Sequence, residues 1–272
     1  MKVWLLKIKN FLPFGKKKIL PQLIDVVNDP TVEQSQWWGH FLIEEEQSRF
    51  FKIGDIVLCL DRYDHEWRIT SYREGEQPFK TFAAQASNEI VLKPTLPDRA
   101  LLTPLDRPFY ISAGETLSVY ISAPVWIRIE AGNPPILLDE LPTETLADTW
   151  FGKNTLIGEL CYASQTYCSP RVEDLPRHTT RVTIPLLISN RSRGTLILHE
   201  LKIPLPELSI YSDNQQYLWT EQLNIYQENQ DDIETTVLKG PPKNMDEIQL
   251  LSPPRLGLKS GLKDLFSPFI WK

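Results

Sequence analysis

From Glu115 to Gly132 the chain reads ETLSVYISAPVWIRIEAG. Leu117, Val119, Ile121, Ala123, Val125, Ile127 and Ile129 fill seven successive odd positions. Their even neighbours include Thr116, Ser118, Tyr120, Ser122, Arg128 and Glu130. Successive side chains of a strand point to opposite faces, so a period of two held this long predicts one buried face and one mostly wet face. Pro124 interrupts the run. It has no N–H to give a ladder, which predicts an edge position or a bend there.

A second stretch, RVTIPLLISNRSRGTLILHELKIPL, repeats the pattern. Val182, Ile184, Leu186 and Ile188 alternate, and Asn190 and Gly194 then supply turn chemistry. Beyond the turn Ile197, Leu201, Ile203 and Leu205 share one parity with His199 between them. That placement predicts His199 as a hydrogen-bonded core residue. Residues 89–92, 155–162, 207–211, 216–219 and 222–227 are further strand candidates. No connection carries a helix period of ten to fifteen residues, which argues against parallel βαβ units. The 22 prolines outnumber the 12 glycines, and proline breaks helix interiors while tolerating strand edges and turns. The expected fold is mainly β, an antiparallel β-sandwich with a smaller N-terminal β unit and a few short helices at the termini.

Charge and cysteine content narrow the setting. Residues 1–20 hold Lys2, Lys7, Lys9, Lys16, Lys17 and Lys18 with no acid. The whole chain is −6, so the other residues sum to −12 (−6 minus +6). An acidic body repels a phosphate backbone, and nucleic acid is not an expected partner. Three cysteines, Cys59, Cys161 and Cys168, are too few and odd in number for a secreted disulfide scaffold. They are expected to be free, in a cytoplasmic protein. No apolar run approaches the roughly 18–20 residues that span a bilayer. At the N-terminus Trp4, Ile8, Phe11 and Leu12 fall at helical spacing until Pro13. Two readings stay open for residues 1–20: a short helix docked on the body, or a basic segment making weak contact with an anionic membrane surface.

The densest polar constellation lies in FKIGDIVLCLDRYDHEWRI, Phe51 to Ile69. Strands over 50–53 and 56–60 with a return over 66–71 place Asp61 to His65 at a hairpin tip, where water solvates charge. The competing reading uses His65 as a base or metal ligand beside Asp61, Asp64 or Glu66. Elsewhere chemistry is thin. FGKNTLIGE lacks the glycine spacing and the Ser/Thr of a phosphate loop, and no G-x-S-x-G or G-x-G-x-x-G occurs. Cys161 and Cys168 with distant His178 and His199 lack zinc-site spacing. No cofactor and no metal are expected. Trp37 and Trp38 must point to opposite sides if extended, so one is a candidate exposed aromatic platform.

The segments WWG (Trp37–Gly39), FKIGDIVLCLDRYDHEWRI, PVWIRIEAG, DTWFGKNTLIGELCY and RVTIPLLISNRSRGTL together resemble an uncharacterised prokaryotic family catalogued as domain of unknown function four-three-two. The resemblance runs from about Trp37 to Gly240 and carries no catalytic residue onto this chain. The expected organisation is a basic amphipathic segment at 1–34, an N-terminal β unit at 35–98, a sandwich at 99–240 and a Pro/Gly-rich tail at 241–272 with a short amphipathic end. The expected function is a non-catalytic binding or interaction module for a protein or small-molecule partner. Its candidate contact residues are Trp37, Trp38, Asp61, Asp64 and His65. The alternative is a hydrolase or metal-dependent enzyme using the Asp61–His65 tip.

Overall fold

A computed structural model describes residues 36–63, 66–73, 79–83, 87–152, 158–176, 178–229, 232–243 and 247–256. The basic segment 1–20, Asp64, His65 and the amphipathic end beyond 256 lie outside the described residues, as do any terminal helices. The chain is mainly β.

Its first strands are β1 (Gly39–Leu42), β2 (Gln47–Ile53), β3 (Ile56–Tyr63), β4 (Glu66–Tyr72), β5 (Phe79–Ala83) and β6 (Glu89–Thr95). Then come β7 (Leu101–Ile111), β8 (Thr116–Pro124), β9 (Trp126–Ala131), β10 (Ile136–Pro142), β11 (Ala147–Phe151), β12 (Glu159–Ala163) and β13 (Cys168–Ser169). The remainder are β14 (Arg181–Asn190), β15 (Leu196–Ile203), β16 (Ile210–Ser212), β17 (Leu218–Trp219), β18 (Gln222–Asn229), β19 (Asp232–Leu238) and β20 (Gln249–Ser252). Among the described residues no helix is long and apolar enough to cross a membrane.

Packing divides the chain into two units. The described residues up to Lys93 pack with Ile127–Thr143, and Pro94–Trp126 pack with those from Glu144 onward. The chain therefore enters the first unit twice.

The first unit holds two four-stranded sheets, ordered β1-β6-β9-β10 and β2-β3-β4-β5. The second of these is an antiparallel meander. Gly54, at φ 57°, takes the first central position of the two-residue turn between Ile53 and Ile56, a place that II′ turns reserve for glycine. Ile53, Leu58, Leu60, Trp67 and Ile69 are buried from one sheet and Ile90, Leu92, Ile127 and Ile129 from the other. Each such side chain contributes about 1.5–3 kcal/mol when fully buried. The sheets also meet through the Phe41–Phe51 ring pair, 4.8 Å between centroids, and Lys80 Nζ to Asp139 Oδ1, 2.7 Å.

The second unit also has two sheets. One is ordered β11-β12-β7-β15; the other is β13-β8-β14-β17-β16-β20, with β18 and β19 joined to it through β14. Ala123, Ile121 and Val119 of β8 stand opposite Val182, Ile184 and Leu186 of β14 in antiparallel register, all six buried, and buried Ile188 stands opposite Leu117. Asn190 closes the turn after β14. Its Nδ2 donates to Ile111 O and Gly194 O, while its Oδ1 accepts from Ser192 N. The long odd row is divided at Pro124: β8 ends there and β9 belongs to a different sheet, yet Val125 between them is buried like its odd neighbours.

The expected antiparallel pairing dominates, with a parallel minority, and one expectation needs correction. The sheets are not wholly antiparallel, because β12 pairs with β7, and β17 and β18 pair with β14, in parallel. These partners are linked through other strands and not through crossover helices, so no local helix period announces them. His199 is exposed and not a core residue. A bulge between Leu198 and Glu200 switches the inward parity, from Leu196 and Leu198 before it to Leu201 and Ile203 after it. The tail is a strap as far as it is described. β20 pairs with β16, Ser252 Oγ donates to Pro94 O, Arg255 Nε donates to Leu96 O, and Leu256 N donates to Pro206 O at 2.9 Å.

Candidate functional site

β3 is buried on both sides through Leu60, and its apolar even positions face the core. Its odd positions build the site. Registers across the meander bring Ser48, Asp61, Arg68 and Thr81 to one level on β2, β3, β4 and β5. Phe50, Cys59 and Thr70 stand one level along, followed by Val57 beside Tyr72.

β3 extends to Tyr63, so Asp61 lies inside the ladder and not at a wet tip. Cys59 Sγ donates to Asp61 Oδ1 at 3.3 Å, and the Ser48 hydroxyl also bonds Asp61. Burial pushes the Asp61 carboxyl above its ordinary value; the bonds from Ser48 and Cys59 and the charge of Arg68 pull the other way without prevailing. Burial, and then the Asp61 carboxylate, push the Cys59 thiol well above its ordinary value. Tyr72 is pushed up to about 12, chiefly by burial and then by Cys59 and Asp61. Arg68 donates from Nε and Nη2 to Glu66 Oε2 at 3.4 and 3.3 Å and stacks over Tyr63 at 4.6 Å.

This chemistry is one of hydrogen bonding and proton exchange. A thiol held above its usual range stays protonated at neutral pH and is a donor, since the nucleophile is the thiolate. Asp61 is the carboxyl on this face that burial shifts toward its protonated form. Among the described residues no three His, Cys, Asp or Glu side chains come together as metal donors.

The other sequence candidates separate. Trp37 and Trp38 are 3% and 5% exposed and meet edge to face at 5.4 Å, so neither is a platform. Asp64 and His65 lie outside the described residues. Cys161 and Cys168 are free, buried and on strands of different sheets. Sequence reasoning missed Cys59 and Tyr72 as neighbours of Asp61. Their shared parity on adjacent strands was the available signal. It also missed Trp150, 42% exposed on β11.

The family model described as Protein of unknown function (DUF432) matches residues 37–270. The chain belongs to this family. The DUF432 match includes both sheets of each unit and runs past Gly240 through the β20 strap. No curated protein and no solved structure matches the chain.

Proposed function

We propose that this DUF432 protein is a non-catalytic cytoplasmic binding or interaction module whose contact face is the Asp61 side of the β2–β5 meander. The observation that carries this reading is the Cys59–Asp61 bond, with thiol and carboxyl both above their ordinary values. Such groups recognise a partner by donating and accepting hydrogen bonds. Half-buried Phe50, Thr70 and Tyr72 around them give a partner apolar and polar surface together. The three buried free cysteines are in keeping with a reducing compartment. A second reading, a hydrolase or metal-dependent enzyme using Asp61 with Asp64 and His65, draws its support from the raised carboxyl, since general acids and bases work with carboxyls shifted upward.

One experiment with two arms separates them. Full-length protein and Asp61→Asn are assayed with p-nitrophenyl acetate, p-nitrophenyl phosphate and bis(p-nitrophenyl) phosphate, with and without magnesium, manganese and zinc. The same proteins are melted against a panel of nucleotides, amino acids and sugars. A binding module gives no turnover that depends on Asp61, and a thermal shift from one compound class that Asp61→Asn removes. Turnover that falls about a hundredfold or more in Asp61→Asn or His65→Ala, a loss of general acid–base scale, overturns the proposal in favour of the enzyme.

A further inference from the structure

Trp37, Trp38, Trp67 and Trp219 are buried and Trp126 is half-buried, so Trp150 is the exposed tryptophan among the described residues. It stands on β11, the edge strand of its sheet, and pairs with Leu160, which is also exposed. Its seat is specific. A Cβ added at Gly158 would lie 2.0 Å from Trp150 Nε1, 2.4 Å from Cε2 and 2.8 Å from Cζ2. The indole is therefore pressed on the Gly158 backbone, where any side chain would collide. Glycine is needed here for space and not for an unusual φ.

Two residues along the same face, Asp148 pairs with Tyr162. Asp148 is open to solvent and takes Arg99 Nη1 at 2.9 Å. Arg99 stacks over Tyr162 at 5.0 Å, and the Tyr162 hydroxyl donates to Asp98 Oδ1 at 2.8 Å. The Tyr162 ring lies 6.0 Å from Trp126, whose buried Nε1 has no acceptor among the described residues. A seated aromatic surface thus continues into planar, hydrogen-bonding side chains about 6–7 Å away along the strand.

A pyranose ring needs that combination: an aromatic face for its C–H side and planar donors and acceptors for its edge hydroxyls. The Arg99 and Asp148 charges already answer each other, which favours an uncharged ligand. Among the described residues β11 has no strand beyond it in its sheet, which favours an extended one. We propose that the Trp150–Asp148 face of β11 and β12 binds a neutral oligosaccharide, one pyranose stacking on Trp150 and its hydroxyls bonding to Asp148 and Arg99. The site lies in the second unit and stands or falls separately from the Asp61 reading.

The test is calorimetric titration of the full-length protein with cellohexaose, maltohexaose and chitohexaose, repeated on Trp150→Ala, Gly158→Ala and Asp148→Asn. At least one sugar binds the unaltered protein. Trp150→Ala weakens it by about tenfold or more, the scale of a lost aromatic contact. Gly158→Ala, which keeps the tryptophan but displaces it, weakens it too, and circular dichroism and melting check that the variant is folded. Should Gly158→Ala fail to fold, Trp150→Ala on its exposed edge remains decisive. Silence from all three sugars, or binding that Trp150→Ala leaves intact, overturns the proposal. So does Trp150-dependent binding of decaproline in place of sugar, which makes the face a peptide site.

Discussion

Glu130 on β9 and Asp61 on β3 are carboxylates of the same unit, both largely withdrawn from water, and they are shifted in opposite directions. The Glu130 oxygens accept from Lys93 Nζ at 2.7 Å and from Arg128 Nε at 2.6 Å; Arg128 also reaches Glu140 at 2.9 Å. Burial raises the Glu130 carboxyl, but the bonds and charges of Lys93 and Arg128 outweigh it and hold the group below its ordinary value. Asp61 is bonded by a hydroxyl and a thiol, with a single guanidinium near enough to pull, and burial wins. Withdrawal from water sets the penalty; the charge of the partners decides which way the carboxyl is shifted. Glu130 is thus tied into the frame by its cations, and Asp61 on the proposed contact face has a single guanidinium among the groups that lower it.

The sharpest way to break this contrast is Glu130→Gln. It leaves Lys93 and Arg128 without their shared anion. Because both cations stay about a third exposed, the expected loss is about 2–3 kcal/mol, below the ~3–5 kcal/mol of a fully buried broken pair. The pH sign follows from the lowered carboxyl: its stabilisation is present above the unfolded value and is lost as pH falls through the folded one. Urea melts should show that acid-side loss in the unaltered protein and lose it in the variant. Equal stability of the two at neutral pH would break the contrast.

Cysteines sharpen it from the other side, since burial dominates there as well. Cys168 is raised from 9.0 to about 12. A raised thiol contributes its stability below its unfolded value and loses it as pH rises toward the folded one. From pH 9 upward each such thiol takes about 1.4 kcal/mol per pH unit from folding. Cys168→Ala should flatten that alkaline slope in chemical denaturation, and an unchanged slope would count against burial as the cause.

Asp61→Asn has a smaller effect of opposite sense. Asparagine imitates the protonated carboxyl that burial favours, so the variant should be unchanged or stabilised by up to about 1 kcal/mol at neutral pH. The difference should shrink as the solution is acidified and the aspartate protonates. A loss beyond about 2 kcal/mol would mean that the ionised carboxylate is structurally required. Smallest of all is His40→Ala. The His40–Glu89 contact at 2.6 Å is solvent-exposed, and removing it should cost less than about 0.5 kcal/mol in a thermal melt.

Regular alternation was legible in the sequence because it is a local property. The Leu117–Ile129 row, its division at Pro124, the β2–β3 turn and the Asn190 turn could all be read from neighbouring residues. Features set by distant chain could not. The bulge at His199 depends on register against β7, the parallel pairs on strands far apart in sequence, and the burial of Trp37 and Trp38 on what packs over them. The candidate site was half legible. Asp61 was singled out, but its place in the ladder and its pairing with Cys59 depend on how far β3 continues before its turn.

Those two carboxylates are best compared by carbon-13 NMR titration of the side-chain carboxyl groups, assigned with Asp61→Asn and Glu130→Gln. Asp61 should titrate above its ordinary 3.8 and Glu130 below its ordinary 4.5 in the same sample. Asp61 titrating at or below 3.8 would contradict the account, because burial would then not be what dominates the Asp61 carboxyl.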